Sequence, residues 1–341
     1  MQFTKYNPPG TCKRQQRGQL VNIAQYAERE EIEPYQEGAR EKRRVSFSDG
    51  IHNALPFVIP HHDYMFKLSA HRYPEQFWVE IAAYRLGCAT GVPVPPAFAA
   101  YHEEIGTAGA LIEWFYSYPG EPREEYIPGG DLFQRLIPDY ERKKGSQHNV
   151  QDLIAIAREY EGKGLAHDWL AHWSKVLLFD VLIGNTDRHQ DNWGIVKTGD
   201  NDSPQYHFCP VFDNGTALGH EIVAKKFNSV IKGLRGKNSA GPYVTNPKKA
   251  KHHLKWSRED TIQMPHFVLL QRLLKEFPLA KGYMRECLNF SPDDFRQEII
   301  ELSELSNDIP VASGILSRAR AEFMAELIAR RKELAQELLT N

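Results

Sequence analysis

Two short stretches hold the residues whose types and spacing could do chemistry: LIGNTDRHQDNWGIV at 182–196 and CPVFDNGTALG at 209–219. The first sets Asp187, Arg188, His189 and Asn192 on one loop between apolar runs, and the second adds Asp213, with Gly215 just behind it to let the chain turn. An Asp and an Asn on one tight loop present two hard oxygens in the same direction. That suits Mg²⁺, which takes a few protein oxygens and completes its shell with phosphate and water. A hairpin that folds Asp213 back toward the loop makes a divalent-cation site for phosphoryl transfer, and Asp187 could instead accept or orient the proton of an attacking hydroxyl. Any one of these residues alone is an ordinary turn former. The set together, framed by strand and helix, points to chemistry.

Phosphoryl transfer also needs a cation on the triphosphate. Lys67 sits in YMFKLSA beside Met65, Phe66 and Leu68 on an expected strand, a poor setting for a merely solubilising lysine. It is expected to reach into a crevice and be held by a carboxylate of the next helix. Glu75 and Glu80 are the candidates, and Glu80, lying between apolar positions, is preferred. A strand Lys paired with a helix Glu is the arrangement kinases use.

The elements that must position these groups follow from the pattern. RVSFSD, LPFVIP and YMFKLS read as short strands separated by turn signals. PEQFWVEIAAYRLGCATG reads as a helix, with Pro74 in its first turn, Phe77, Ile81, Tyr84 and Cys88 at helical spacing, and Gly91 as its end. VPVPPAFAAY and GALIEWF read as two more strands. From about residue 117 the pattern is helical: NVQDLIAIAREY, then AHDWLAHWSKVLLFDVLI, apolar on most sides and so central. WGIVKT and YHFCPVFD form an expected hairpin, and helices run from about Thr261 to the end. The expectation is an α+β, bilobal chain, with a β-rich N-lobe at 1–116, a larger α-helical C-lobe at 117–341, and the ligand in the crevice between them.

Bulk properties bound the remaining classes. A net charge of −2 over 341 residues implies no general pull toward nucleic acid or anionic membrane. No apolar run reaches the roughly 18–20 residues that span a bilayer, and VLLFDVLIG is interrupted by Asp180. The first residues show no secretory pattern. Four scattered cysteines without a CxxC pair read as reduced thiols of a cytoplasmic protein. His61-His62 and His252-His253 lack partners at zinc-site spacing. Trp169 and Trp173 read as core, and the Arg330-Arg331-Lys332 face of the last helix as solvent-exposed. The basic run NPKKAKHHLKW at 246–256 could be a solvated face, or could touch an acidic partner or RNA; it follows Asp213 at a distance suited to an activation or substrate segment.

These pieces, in this order, resemble the HipA-like serine/threonine kinases, a branch of the protein-kinase-like superfamily related to phosphoinositide kinases. The matching stretches are EGAREK at 37–42, YMFKL at 64–68, YPEQFWVEIAAYRLGCATGVPVP at 73–95, ALIEWF at 110–115, IGNTDRHQDNWGI at 183–195 and VFDNGTALG at 211–219. The resemblance implies a protein-kinase-like fold, ATP and Mg²⁺ as cofactors, and a protein Ser or Thr as acceptor. It places Gly38 and Ala39 in the phosphate-covering loop, Lys67 on the phosphates with Glu80 as its partner, and Glu113 and Phe115 in the hinge strand that binds adenine. Asp187 becomes the catalytic Asp, His189 a supporting residue, and Asn192 and Asp213 the metal ligands. Tyr35 stands near the family's regulatory serine, with Ser46 and Ser48 further on. The chain is shorter at its front than long HipA proteins, whose extra subdomain contacts an antitoxin; an antitoxin-like regulator is kept as a possible partner, with no nucleic acid and no membrane. A phosphoinositide or small-molecule kinase, a pseudokinase binding module, and nucleotidyl transfer are the alternative readings.

Overall fold

The computed structural model describes residues 12–32, 41–166, 168–199, 202–236, 243–246, 248–312 and 314–340. Gly38 and Ala39, and Tyr35 with them, lie outside the described residues.

The chain begins with β1 (Val21–Asn22), α1 (Ile23–Tyr26), β2 (Ala27–Ile32), β3 (Lys42–Phe47), α2 (Ile51–Ala54) and β4 (Tyr64–Leu68). Helix α3 (Phe77–Thr90) and strands β5 (Ala97–His102) and β6 (Thr107–Glu113) follow. Their strands make one sheet in the order β1-β5-β6-β4-β3-β2, antiparallel except for the short β1–β5 pair. A second sheet joins β7 (Glu124–Pro128), β8 (Gly194–Thr198) and β9 (Gln205–Phe208) in that order. Between and after these strands come α4 (Gly129–Leu136), α5 (Val150–Glu161), α6 (Trp169–Ile183), α7 (Phe227–Arg235), α8 (His266–Glu276), α9 (Ala280–Cys287), α10 (Pro292–Ser306) and α11 (Arg318–Thr340). The molecule is thus α+β, a curled sheet followed by a mostly helical region. No helix among the described residues is long and apolar enough to cross a membrane.

Two helices do most of the positioning. Helix α3 packs on β5 and β6 and is buried almost all round, Phe77, Trp78, Ile81, Tyr84 and Leu86 included, so Glu80 is carried into the interior with them. It stops at Gly91, whose left-handed φ of 69° costs a glycine little. Helix α6 starts where the Asp168 carboxylate accepts from Leu170 N at 2.7 Å and ends at Gly184, φ 65°; its core position agrees with Trp173 at 2% exposure. Gly109 on β6 answers a different demand. A Cβ there would lie 2.7 Å from Lys67 O, so only glycine lets β6 approach the strand that carries Lys67.

Several expectations are corrected. Residues 55–60 form turns rather than a strand, since Pro56 and Pro60 remove ladder donors. β1, β2 and β7 lie in stretches too polar or too short to read as strands. β9 ends at Phe208, short of Asp213: Pro210 has no N–H, and Val211 N turns instead to Pro93 O at 2.7 Å. The Arg331-Lys332 face is not solvent but interior, with Arg331 1% and Lys332 7% exposed. Arg331 Nε donates to Tyr243 O at 3.0 Å and Nη1 to Val181 O at 2.5 Å, and burial lowers its pKa to about 9. Nor are all four thiols free. Cys12 and Cys88 form a disulfide, Cα atoms 5.7 Å apart, because the arm before β1 lies along α3: Lys13 N donates to Tyr84 OH at 2.8 Å and Gln15 Nε2 to Ala99 O at 2.8 Å. Cys209 and Cys287 are buried thiols.

Candidate active site

Lys67 and Glu80 meet as expected. β4 holds Lys67 in the middle of the sheet, opposite Lys42 of β3 and Ala110 of β6. Its Nζ donates to Glu80 Oε1 at 2.6 Å and to Asp213 Oδ1 at 2.6 Å. The Lys67 side chain is 4% exposed, so this cation is held between two carboxylates in a largely dry setting. Glu80 uses its other oxygen to accept from Asn214 N at 2.9 Å, and Gln76 Nε2 donates to Gly215 O at 2.8 Å. The N-cap residue and first turn of α3 therefore anchor both the sheet lysine and the backbone just after Asp213. Glu75, the rival partner, faces away: its carboxylate accepts from Arg320 Nε at 3.3 Å.

Asp213 has φ 53°, a left-handed conformation that Asp tolerates better than most residues and that is common where a side chain must be aimed. Lys42 Nζ lies 4.0 Å from its second oxygen. The 185–192 loop is tied by its own groups: Asp187 N donates to Asn185 Oδ1 at 2.9 Å, and Asn192 Nδ2 to Asp187 O at 2.8 Å. Asn192 thus commits its amide nitrogen inward, and its carbonyl oxygen is the atom it can offer a cation. His189 Nδ1 accepts from Asp191 N at 3.2 Å, and its ring lies 6.0 Å from that of His253.

Arg188, a residue of the motif to which the sequence assigns no task, organises the site. All of its five N–H donors are taken: Nε and Nη2 by the two oxygens of Asp180 at 3.1 and 2.8 Å, Nη1 by Asn192 O at 3.1 Å and by Phe212 O, and Nη2 again by Asn214 Oδ1 at 2.7 Å. One fully buried guanidinium thereby ties helix α6, the Asp187–Asn192 loop and the Asp213 segment together. Asp180 also accepts from Asn185 Nδ2 at 3.0 Å and pairs with His252 Nε2 at 2.9 Å. Burial by itself would raise the Asp180 carboxyl, but the Arg188 and His252 partners outweigh it and hold it well below the usual carboxylate range. The signal was present in the sequence: an acid inside VLLFDVLI needs a buried partner.

Glu113 and Phe115 are held in different ways. The Glu113 carboxylate is 3% exposed and accepts from Lys13 Nζ at 2.5 Å, Tyr118 OH at 2.8 Å and Tyr64 OH at 3.3 Å. Glu113 N donates to Pro96 O at 2.8 Å and Trp114 N to Asp63 O at 3.0 Å, so these two amides serve the fold. Phe115, two residues past the end of β6, stacks on Phe212 with centroids 5.0 Å apart and lies edge-on to Tyr126 at 5.2 Å. An apolar wall next to Asp213 is the result. Among the described residues no group of three or more His, Cys, Asp and Glu side chains is placed to hold a metal by itself.

The chain belongs to the HipA-like C-terminal domain family, whose family model matches residues 36–261. It is similar to the serine/threonine-protein kinase CtkA of Helicobacter pylori, 32% identical over 101 residues, a match spanning 28% of this chain and 29% of that relative's length. The crystal structure of the H. pylori proinflammatory kinase CtkA superposes with a TM-score of 0.67 at 15% identity, covering 94% of this chain and 96% of the other. The fold is therefore the bilobal kinase-like α+β fold. The Shewanella oneidensis HipA in a toxin–antitoxin complex with HipB and operator DNA is a looser likeness, with a TM-score of 0.46 at 14% identity over 98% of this chain and 70% of that one.

Proposed function

We propose that this chain is an ATP- and Mg²⁺-dependent protein kinase that transfers the γ-phosphoryl group to a Ser or Thr hydroxyl of a protein substrate. The observation that carries the reading is the double engagement of Lys67, on Glu80 and on Asp213, with the Asp187–Asn192 loop clamped to the same segment by Arg188. Lys67 is positioned for the phosphates by Glu80. Asp187 is the group that accepts or orients the proton of the acceptor hydroxyl, and His189 supports the loop. The lobes meet near residue 116, and Glu113, Phe115 and the Phe212 face border the adenine end. Gly38 and Ala39 are assigned to the phosphate-covering loop from the family resemblance alone. The oxygens of Asn192 and Asp213 fit Mg²⁺, whose preference is for hard oxygen donors; when bound it neutralises charge on the transferring phosphoryl group. The protein's own part is positioning and charge, with little covalent chemistry to supply. A cytoplasmic setting, where ATP is abundant and the Cys12–Cys88 pair is open to reduction, and an antitoxin-like regulator belong to the same proposal.

The test incubates purified protein with Mg²⁺ and ATP labelled on the γ- or the α-phosphate, wild type beside Asp187→Ala and Asp213→Ala. Protein-bound γ-label that disappears in both variants is the expected result. Label from the α-phosphate would replace the reading by nucleotidyl transfer. Bound ATP with no label on any protein acceptor would favour a pseudokinase.

A further inference from the structure

Between Glu221 and Glu259 the chain has no Asp or Glu but ten Lys and Arg residues, within a protein of net charge −2. Three of these are neutralised: Lys249 by Glu221 at 2.5 Å, Arg235 by Glu326 at 2.8 Å and Arg258 by Asp152 at 2.7 Å. Lys251 and Lys255 have no carboxylate within ion-pair distance among the described residues, and the same holds for Lys225, Lys226 and Lys248. A one-signed surface of this kind raises the local concentration of an oppositely charged ligand.

The backbone gives part of that surface a regular form. Residues 251–256 carry two isolated bridges, Lys251 to Pro265 and Lys255 to Asn149, with a bend at His253 between them. Their burial alternates strictly: His252, Leu254 and Trp256 are at 0% exposure, while Lys251, His253 and Lys255 lie on the half-exposed side. The buried side is pinned to the active site, since His252 Nε2 pairs with Asp180 Oδ2 at 2.9 Å. On the outer side the His253 ring lies 6.0 Å from His189, two residues beyond Asp187. Burial first, then the neighbouring His189, His252 and Lys251, lower the His253 pKa to about 4, so the positive charge of the ridge near neutrality is that of its lysines.

We propose that Lys251 and Lys255, on either side of His253, form the recognition ridge for an acidic protein segment that presents its Ser or Thr to Asp187. This rests on the kinase reading and names the substrate class for that site. With the bend at His253 between them the two lysines stand at most about 13 Å apart, the span of four strand residues, so they can meet two acidic side chains up to four positions apart on one face of an extended peptide. A protein segment fits better than RNA because the ridge has little for a base to stack on: Trp256 is buried beneath Arg272, whose Cζ lies 4.6 Å from the ring centroid, and the outer-side His253 ring is packed against His148 and His189, centroids 5.8 and 6.0 Å away.

The test uses the full chain and fluorescent peptides containing a single Ser, one with two glutamates four positions apart and one with glutamines in their place, beside an oligouridine. Anisotropy is read without ATP, so binding is scored independently of catalysis. The glutamate peptide should bind more tightly than the glutamine peptide, with an advantage that fades as salt is raised. The double variant Lys251→Glu/Lys255→Glu, with an unchanged melting temperature, should weaken it by about 10-fold. If the γ-label assay is positive, the same variant should raise KM for the glutamate peptide and leave kcat in place. If the γ-label assay is negative, selective glutamate-peptide binding still supports the ridge as an acidic-partner surface while the kinase reading fails. Equal binding of the two peptides, or equal binding by wild type and double variant, overturns the ridge. Tighter binding of oligouridine than of the glutamate peptide, lost in the double variant, overturns the assignment to protein.

Discussion

Arg188 gives the sharpest test of how the site is held, because stability and activity should separate on it. Replacing it by Met removes five hydrogen bonds at once and leaves Asp180, at 0% exposure, with only His252 and Asn185. Breaking a buried ion pair from one side costs about 3–5 kcal/mol. Arg188→Lys keeps the charge but cannot grip two carboxylate oxygens while reaching both backbone carbonyls, so it should still lose about 2 kcal/mol. The double variant Arg188→Met/Asp180→Asn removes both charges and should recover about 1–2 kcal/mol of the single-variant loss, since no uncompensated charge remains buried. Activity should not recover with it, because the anchors on Asn192 O, Phe212 O and Asn214 Oδ1 are absent in both variants. The sign with pH is fixed as well. The folded-state pKa of Asp180 is depressed, so its contribution is fully present above the ordinary carboxylate value of about 4 and is lost only as pH falls below that. In Arg188→Met burial instead raises the Asp180 carboxyl, so urea denaturation followed by tryptophan fluorescence should return a penalty no larger at pH 5.5 than at pH 7.5. A penalty under about 1 kcal/mol, a double variant at the sum of its singles, or restored activity in the double would refute the account of Arg188 as the clamp.

Three further outcomes follow from other contacts. Glu80→Gln keeps an acceptor for Asn214 N but takes the charge from Lys67, so kcat/KM for γ-label transfer should fall about 100-fold with little change in melting temperature; unchanged turnover would remove Glu80 from the site. Burial holds His148, His253 and His266 below the ordinary histidine value, His253 at about 4, so stability should be full above about pH 6.5 and decline by about 1–3 kcal/mol as pH falls toward 4. A melting profile flat over that window would contradict it. Finally, Cys88→Ser, or a dithiol reductant, should cost about 2–4 kcal/mol by releasing the link across 76 residues, read by melting with alkylation and intact mass as the check that wild type is paired; an identical midpoint in the variant would show that the link adds nothing.

What could be read from the chain and what could not divides along a physical line. Where local pattern and packing demand coincide, as in α3 from Phe77 to Thr90 or in β4 carrying Lys67, periodicity located the element, and the Lys67–Glu80 pair lies as inferred. The misses come where a distant partner decides. LPFVIP is as apolar as a strand, yet its prolines cannot join a ladder. Glu28, Arg29, Glu30 and Glu31 make β2 look like a solvated run, and it is a strand because β3 pairs with it and Arg43 bonds Glu30 at 2.6 Å. Arg331 is charged and in a helix, which favours a surface position, but α11 is surrounded by α6, α7, α9 and α10, and the carbonyls of Tyr243 and Val181 wait for its guanidinium. The same cause hid the task of Arg188. Its motif announces an Arg on the loop, but its five acceptors come from helix α6, the loop and the segment at 212–214, and no local window contains all three. An acid inside an apolar helix is costly alone, and so is a buried arginine; each needs the other, and that mutual need is what marks the clamp.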